Sequence, residues 1–172
     1  MKQERLNLYI VDMKYVRDLA KKDDNVMSVS PQKNKENRPF IGIVIVCKER
    51  KYCIPLSSPK DKHKTMKNDI DFTKLYDGDN LIGVLNFNNM IPVDDRYAKT
   101  LDLRINKKDS VPVIYYKKIC LKQLKWCREH QDAICKKANK LYKMIISEKA
   151  NYHLKKRCCD FCKLEKLLDS KI

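Results

Sequence analysis

The sequence predicts an α+β fold: a compact, curled antiparallel β-sheet or small barrel with helices around it and a helical C-terminal region. Short apolar runs of strand character recur between residues 6 and 103 with turns at close spacing, which favours antiparallel pairing over a parallel α/β layout. After Pro112 the apolar residues recur every three or four positions, the mark of amphipathic helices. The 172 residues are enough to bury one core without staples, so residues 1–172 are read as a single domain.

Leu6 to Asp12 begins with alternating residues and reads as a first strand. Asp12 then caps a short helix from Met13 to about Lys22, with Tyr15, Val16 and Leu19 as its inner stripe. Between Asp23 and Pro39 polar residues take over, and a long mobile loop is expected. Phe40 to Cys47 is almost continuously apolar, as a central strand would be. Lys48 to Lys51 turns the chain, and Tyr52 to Leu56 returns as its hairpin partner. That hairpin brings the loop ending at Arg38 beside the loop starting at Ser57, because residues before one strand and after its antiparallel partner share a sheet edge. Phe72–Leu75, Leu81–Phe87, Met90–Val93 and Leu101–Leu103 supply further short strands, with a turn at Asp77-Gly78-Asp79. A helix from 112 to 148 would be about 55 Å long, so a break is expected near residues 129–132. A last helix from about Leu154 to Leu168 puts Phe161, Leu164, Leu167 and Leu168 on one side.

Charge narrows the function. Lys and Arg number 38 against 22 Asp and Glu, a net +16 that attracts a polyanion, either nucleic acid or an anionic membrane surface. No apolar run approaches the roughly 20 residues of a spanning helix, and the apolar stretch that follows Met1–Arg5 is too short and too interrupted for a signal peptide, so a cytoplasmic protein without membrane partners is expected. Of the eight cysteines, Cys47, Cys53, Cys120, Cys127 and Cys135 lie in apolar periodic segments and behave as small hydrophobes. Cys159 and Cys162 have the gap of a zinc half-site without a second pair, so no metal and no cofactor are assigned. The pairs Asp69 with Asp71, Asp77 with Asp79 and Asp94 with Asp95 lie in turns and lack a supporting metal motif. There is no nucleotide-binding glycine motif and no G-x-S-x-G elbow.

One stretch stands out. Ile54-Pro55-Leu56-Ser57-Ser58-Pro59-Lys60-Asp61-Lys62-His63-Lys64 passes from an apolar strand into hydroxyls, prolines and cations. Pro59 disfavours helical backbone at Ser58, which holds the two serines in an extended loop. Hydroxyls and cations suit a phosphate, although a lysine-rich surface turn would have the same composition. RNA supplies its own nucleophile, the 2′-OH, so a protein that acts on it needs mainly to align that hydroxyl, stabilise charge and assist proton transfer. Ser57 and Ser58 can donate hydrogen bonds, Arg38, Lys60, Lys62 and Lys64 can stabilise phosphate oxygens, and His63 or Lys60 can move a proton. Lys33 and Lys35 in the preceding loop, and Lys136 and Lys140 on a predicted helix, extend the RNA-binding surface; the helical pair also fits a plain solvated face. The same residues would equally serve a non-catalytic RNA-binding protein that uses the loop as a phosphate clamp.

These residues also carry a resemblance. Phe40-Ile41-Gly42-Ile43-Val44 followed by Pro55-Leu56-Ser57-Ser58-Pro59-Lys60, with Lys14-Tyr15, His63, Gly83, Asn86, Met90-Ile91-Pro92-Val93 and Tyr116-Lys117, resembles the ToxN/AbiQ family of type III toxin–antitoxin endoribonucleases, most of all its CptN-type members. The resemblance implies a core similar to Kid/MazF toxins and a metal-independent nuclease acting on cellular or phage mRNA. It implies 2′,3′-cyclic phosphate and 5′-OH ends, and inhibition by a repeated pseudoknot antitoxin RNA that the toxin processes and with which it closes into a ring. It further implies catalytic roles for Ser58, Ser57, Lys60, Tyr15 and Arg38. Arg38 stands where the family carries lysine, and an arginine is not deprotonated near neutral pH, so a base role falls to Lys60, His63 or the RNA. On the inner stripe of its helix, Tyr15 also suits a place in the core.

Overall fold

The computed structural model describes residues 2–27 and 38–172. Its centre is a seven-stranded antiparallel sheet built from β1 (Asn7–Val11), β2 (Phe40–Val46), β3 (Arg50–Ser57), β4 (Phe72–Asp77), β5 (Asn80–Asn86), β6 (Ile91–Pro92) and β7 (Ala98–Thr100). The strand order is β4-β5-β3-β2-β1-β7, with β6 paired to β3 beside it. This path has two ends: among the described residues β4 and β7 are not paired to each other, so the sheet does not close into a barrel.

β3 organises the sheet. Along one edge it pairs with β2, from Arg50 opposite Val46 to Pro55 opposite Phe40. Along the other it meets β6 at Tyr52 and Cys53, then β5 at Leu56 and Ser57. A strand that changes partner along its length bends the sheet, and register shifts in the β2–β3 and β4–β5 pairs add local twist. Gly78 makes the β4–β5 turn with φ of 59°, in the left-handed region that favours glycine.

Six helices flank the sheet. α1 (Met13–Ala20) is capped by Asp12, whose Oδ1 accepts from Tyr15 N at 2.7 Å, and it buries Tyr15, Val16 and Leu19 as its stripe requires. α2 (Asp61–Thr65) is a single turn that the sequence reading left as loop. The long helical stretch divides at His130 into α3 (Val111–Glu129) and α4 (Gln131–Ile146). α3 lies close over β5, where a Cβ on Gly83 would fall 2.8 Å from Gln123 Nε2, the amide that donates to Ile82 O at 2.7 Å. The expected last helix is two, α5 (Tyr152–Arg157) and α6 (Phe161–Asp169). Cys158 is extended, Cys159 N donates to Asn88 O, and Asp160 starts α6 by accepting from Lys163 N.

The edge strand also differs from expectation. It is Ala98–Thr100 and not Leu101–Leu103, because pairing with β1 selects it: Tyr9 opposes Thr100 and Val11 opposes Ala98. With Ala98 half-buried and Lys99 and Thr100 exposed, this three-residue edge strand has no apolar alternation to read.

The start of β3 is clamped. Tyr52 and Tyr142 hydroxyls both donate to Glu165 Oε1 at 2.9 Å, joining β3, α4 and α6 around one buried carboxylate. Tyr52, Tyr142 and Phe161 pack ring to ring with centroids 5.6–5.7 Å apart, a geometry that adds about 0.5–1.5 kcal/mol per pair beyond area burial. Arg50 closes the clamp with two hydrogen bonds to Asp169.

Candidate functional site

The other end of β3 opens into a cleft of about 600 Å³. Ser57, the last residue of β3, forms part of its wall, with Lys60, Lys62, His63 and Lys67 from the following segment, Asn86 at the end of β5, Asn88 and Asn89 beyond it, and Arg157 from α5. The hairpin fixes the first contact. Leu56 N donates to Pro39 O, and Arg38 Nη1 donates to Ser57 Oγ at 3.2 Å, so the two basic loops meet as antiparallel geometry requires. Asn86 Nδ2 gives the same oxygen a second hydrogen bond at 3.1 Å.

His63 is 5 % exposed, and its ring lies 5.5 Å from that of Phe72. Its Nδ1 accepts from Lys60 N at 2.9 Å, which places the proton of the neutral ring on Nε2. Burial first, then the neighbouring Lys62, Lys60 and Lys74, push its pKa below the ordinary value and keep it neutral. This bond fixes the chain direction where Lys60 leaves the Ser-Ser-Pro turn.

Two features give the cleft an appetite for anions. Lys60, Lys62 and Lys67 form no ion pair among the described residues. Arg38 Nε is buried without a hydrogen-bond partner among the described residues, and burial lowers the guanidinium's pKa. A buried unpaired donor costs about 1–3 kcal/mol, which an incoming acceptor recovers. Two carboxylates, Asp69 and Asp71, also line the cleft, but Asp71 is taken by Arg157, Nε to Oδ2 at 2.6 Å.

The predicted residues separate into groups. Ser57, Lys60, Lys62 and His63 come together, with Arg38 on Ser57. Ser58 is exposed next to them without lining the cleft, and Lys64 is exposed and paired with Asp61 at 2.9 Å. Tyr15 is in the core: 1 % exposed, it donates its hydroxyl to Pro92 O at 2.7 Å and stacks on Tyr97 at 4.4 Å. Its burial raises the phenol's pKa. Lys136 and Lys140 lie away from the cleft, in an open groove on α4 with Lys143 and Lys149. Lys33 and Lys35 fall outside the described residues. No three His, Cys, Asp or Glu side chains gather as metal ligands among the described residues; Cys158 and Cys159 are buried and Cys162 exposed.

The sequence reading gave no role to Asn86, Asn88, Asn89, Lys67 or Arg157. The asparagines share one further sequence signal, the run Asn86-Phe87-Asn88-Asn89, dense in amides at the end of an apolar strand, and Asn86 is also among the residues that carry the resemblance. Asn88 Nδ2 donates to Arg157 O at 2.9 Å, tying the cleft rim to the end of α5, and Asn89 Nδ2 donates to Asn25 O at 2.6 Å, tying it to the segment after α1.

A cation-rich cleft with an oriented hydroxyl, set at the end of an antiparallel sheet, defines a protein that handles phosphodiesters. The family model described as toxin ToxN of type III toxin–antitoxin systems matches residues 7–169. Endoribonuclease ToxN of Pectobacterium atrosepticum is 29 % identical over 164 residues, covering 93 % of this chain and 90 % of that one. Endoribonuclease AbiQ of Lactococcus lactis subsp. lactis is 30 % identical over 174 residues, covering 96 % and 87 %. A solved type III toxin structure, described as selectively inhibited by a non-coding RNA pseudoknot, superposes with a TM-score of 0.81 at 28 % identity over 98 % of both chains. The chain belongs to the ToxN/AbiQ family of type III toxin–antitoxin endoribonucleases.

Proposed function

We propose that this protein is the toxin of a type III system and cleaves RNA without a metal ion. The 2′-oxygen attacks the adjacent phosphorus, the P–O5′ bond breaks, and the products are a 2′,3′-cyclic phosphate and a 5′-OH. The 2′-OH loses its proton to a base, and the leaving 5′-oxygen takes one up. Ser57, Lys60 and Arg38 serve the phosphate oxygens, with Ser58 beside them at the loop apex and Lys62, Lys67 and Lys64 along the strand of RNA. His63, with Nδ1 already accepting, supports Lys60, which leaves Lys60 or the RNA itself to handle the proton. Tyr15 belongs to the frame in this reading. The observation that carries it is the Ser57 hydroxyl, held by Arg38 and Asn86 beside lysines without acidic partners among the described residues.

The inhibitor in this reading is a pseudoknot RNA cut from a repeated precursor, bound both at the cleft and along Lys136 and Lys140 of α4, so that protein and RNA alternate around a closed ring in the cytoplasm. No helix among the described residues is long and apolar enough to cross a membrane. A single domain with a curled core of the Kid/MazF type is part of the same reading, and the change of partners along β3 supports it.

The test is incubation of a mixed RNA pool in EDTA with wild type, Ser57→Ala and Ser58→Ala, followed by chemical analysis of the ends. Cyclic phosphate ends from wild type and a loss of about 10²–10³ in rate for Ser57→Ala are expected. RNA binding with no cleavage by any of the three would replace the nuclease with a phosphate clamp.

A further inference from the structure

Ser57 carries more hydrogen bonds than a strand-end serine needs. A hydroxyl oxygen has two lone pairs and one proton. Both lone pairs here are occupied, one by Arg38 Nη1 at 3.2 Å and the other by Asn86 Nδ2 at 3.1 Å. An arginine can only donate, so that contact cannot be reversed. The Ser57 proton is left the remaining tetrahedral direction, where it meets no acceptor among the described residues.

The position of Asn86 follows from the sheet. Ser57 opposes Val84 across the β3–β5 pair, and Asn86 lies two residues further along β5, on the same face as Val84. That diagonal brings the amide to the serine without strain, and pairing with Phe72 of β4 fixes the backbone from the other side. An asparagine is also the right chemical group there. It is neutral, so it does not compete with a phosphate for Arg38, and it donates, so it does not capture the serine proton.

We propose that Asn86 is a positioning residue of the cleavage reaction: together with Arg38 it fixes the Ser57 hydroxyl as a donor to a non-bridging oxygen of the scissile phosphate. The inference rests on the ribonuclease reading and deepens it. Ser57 is thereby excluded as the acceptor of the 2′-OH proton, since it has no lone pair free to take one. Donation from a cationic guanidinium also polarises the hydroxyl and strengthens its own hydrogen bond to the transition state, where the phosphate charge grows.

The experiment measures kcat and KM on one short RNA for wild type, Asn86→Asp, Asn86→Ala, Ser57→Ala and the double variant Ser57→Ala/Asn86→Asp, with a melting temperature for each. Aspartate keeps the shape but accepts where asparagine donates, so it draws the Ser57 proton towards itself. Asn86→Asp is expected to lower kcat by about 10–100-fold, a part of the cost of losing an oxyanion donor, with KM nearly unchanged. Asn86→Ala, which removes the donor and adds no charge, is expected to cost less, about threefold to tenfold. In the Ser57→Ala background Asn86→Asp should lower kcat no further, because the two residues act as one unit. An equal loss in both backgrounds would show a general effect of the added charge and overturn the proposal, as would wild-type kcat in Asn86→Asp. A wild type that fails to cleave would instead remove the ribonuclease reading, and the proposal with it.

Discussion

The two ends of β3 are built on opposite principles. At Arg50 and Tyr52 the charged and hydroxyl groups are paired: Arg50 makes two hydrogen bonds to Asp169, and one Glu165 oxygen takes both tyrosine hydroxyls. At Ser57, seven residues on from Arg50, a buried Arg38 Nε is unpaired, a serine proton has no acceptor, and three lysines have no acid among the described residues. The arginines record the difference. Hydrogen bonding to Asp169 raises the pKa of Arg50, while burial lowers that of Arg38. One strand thus spans a finished end that holds the fold and an unfinished end that a ligand completes, which is where unsatisfied groups are expected to collect.

If that division is right, the two ends should fail in different assays. The largest effect belongs to Ser57→Ala, whose loss of about 10²–10³ in cleavage should come with a loss of stability of only about 1 kcal/mol, as Arg38 Nη1 and Asn86 Nδ2 lose their acceptor. Glu165→Ala should do the reverse. It leaves the Tyr52 and Tyr142 hydroxyls buried without an acceptor, so denaturant unfolding should show a loss of about 2–4 kcal/mol while the folded fraction cleaves at the wild-type rate. A Glu165→Ala protein that stayed stable but lost kcat would erase the distinction.

A smaller effect tests how the open end is held. The pKa of His63 is depressed below its ordinary value of 6.5, so the unfolded chain takes up this proton more readily than the folded one. The contribution of His63 to stability is therefore complete above about pH 6.5 and falls as the pH drops through the folded pKa, as the Lys60 N–H loses its acceptor. Melting curves of wild type and His63→Gln should converge by about 1 kcal/mol on going from neutral to acidic buffer. Parallel curves across that range would mean that His63 does not titrate with folding.

The frame was more legible in the sequence than the site. Asp12, the Tyr15-Val16-Leu19 stripe, the β2–β3 hairpin and the break at His130 follow from local pattern, and local pattern is what capping and periodicity report. The hairpin even placed Arg38 beside Ser57, because both lie at its ends. Asn86 was invisible as a partner of Ser57: the two are 29 residues apart and meet only through the β3–β5 register. The helical turn α2 escaped because His63 does the work of an acceptor for Lys60 N, and a histidine amid lysines reads as surface. The same tertiary selection moved the edge strand to Ala98–Thr100 and divided the last helix, where Cys159 N turns out of helix to reach Asn88 O.

The Glu165 clamp also makes the finished end of β3 visible by light. Burial, and for Tyr52 and Tyr142 the adjoining carboxylate, raise the pKa values of Tyr15, Tyr52 and Tyr142 above the ordinary 10.0, so below their folded values these rings stay colourless phenols. Raising the pH past 10 therefore drains stability from the folded chain. The pKa values of Tyr9 and Tyr116 are raised by burial too, so the phenolate absorbance of these five among the nine tyrosines should be delayed, and that of the buried Tyr15, Tyr52 and Tyr142 should appear as the frame unfolds, a label-free signal for the core.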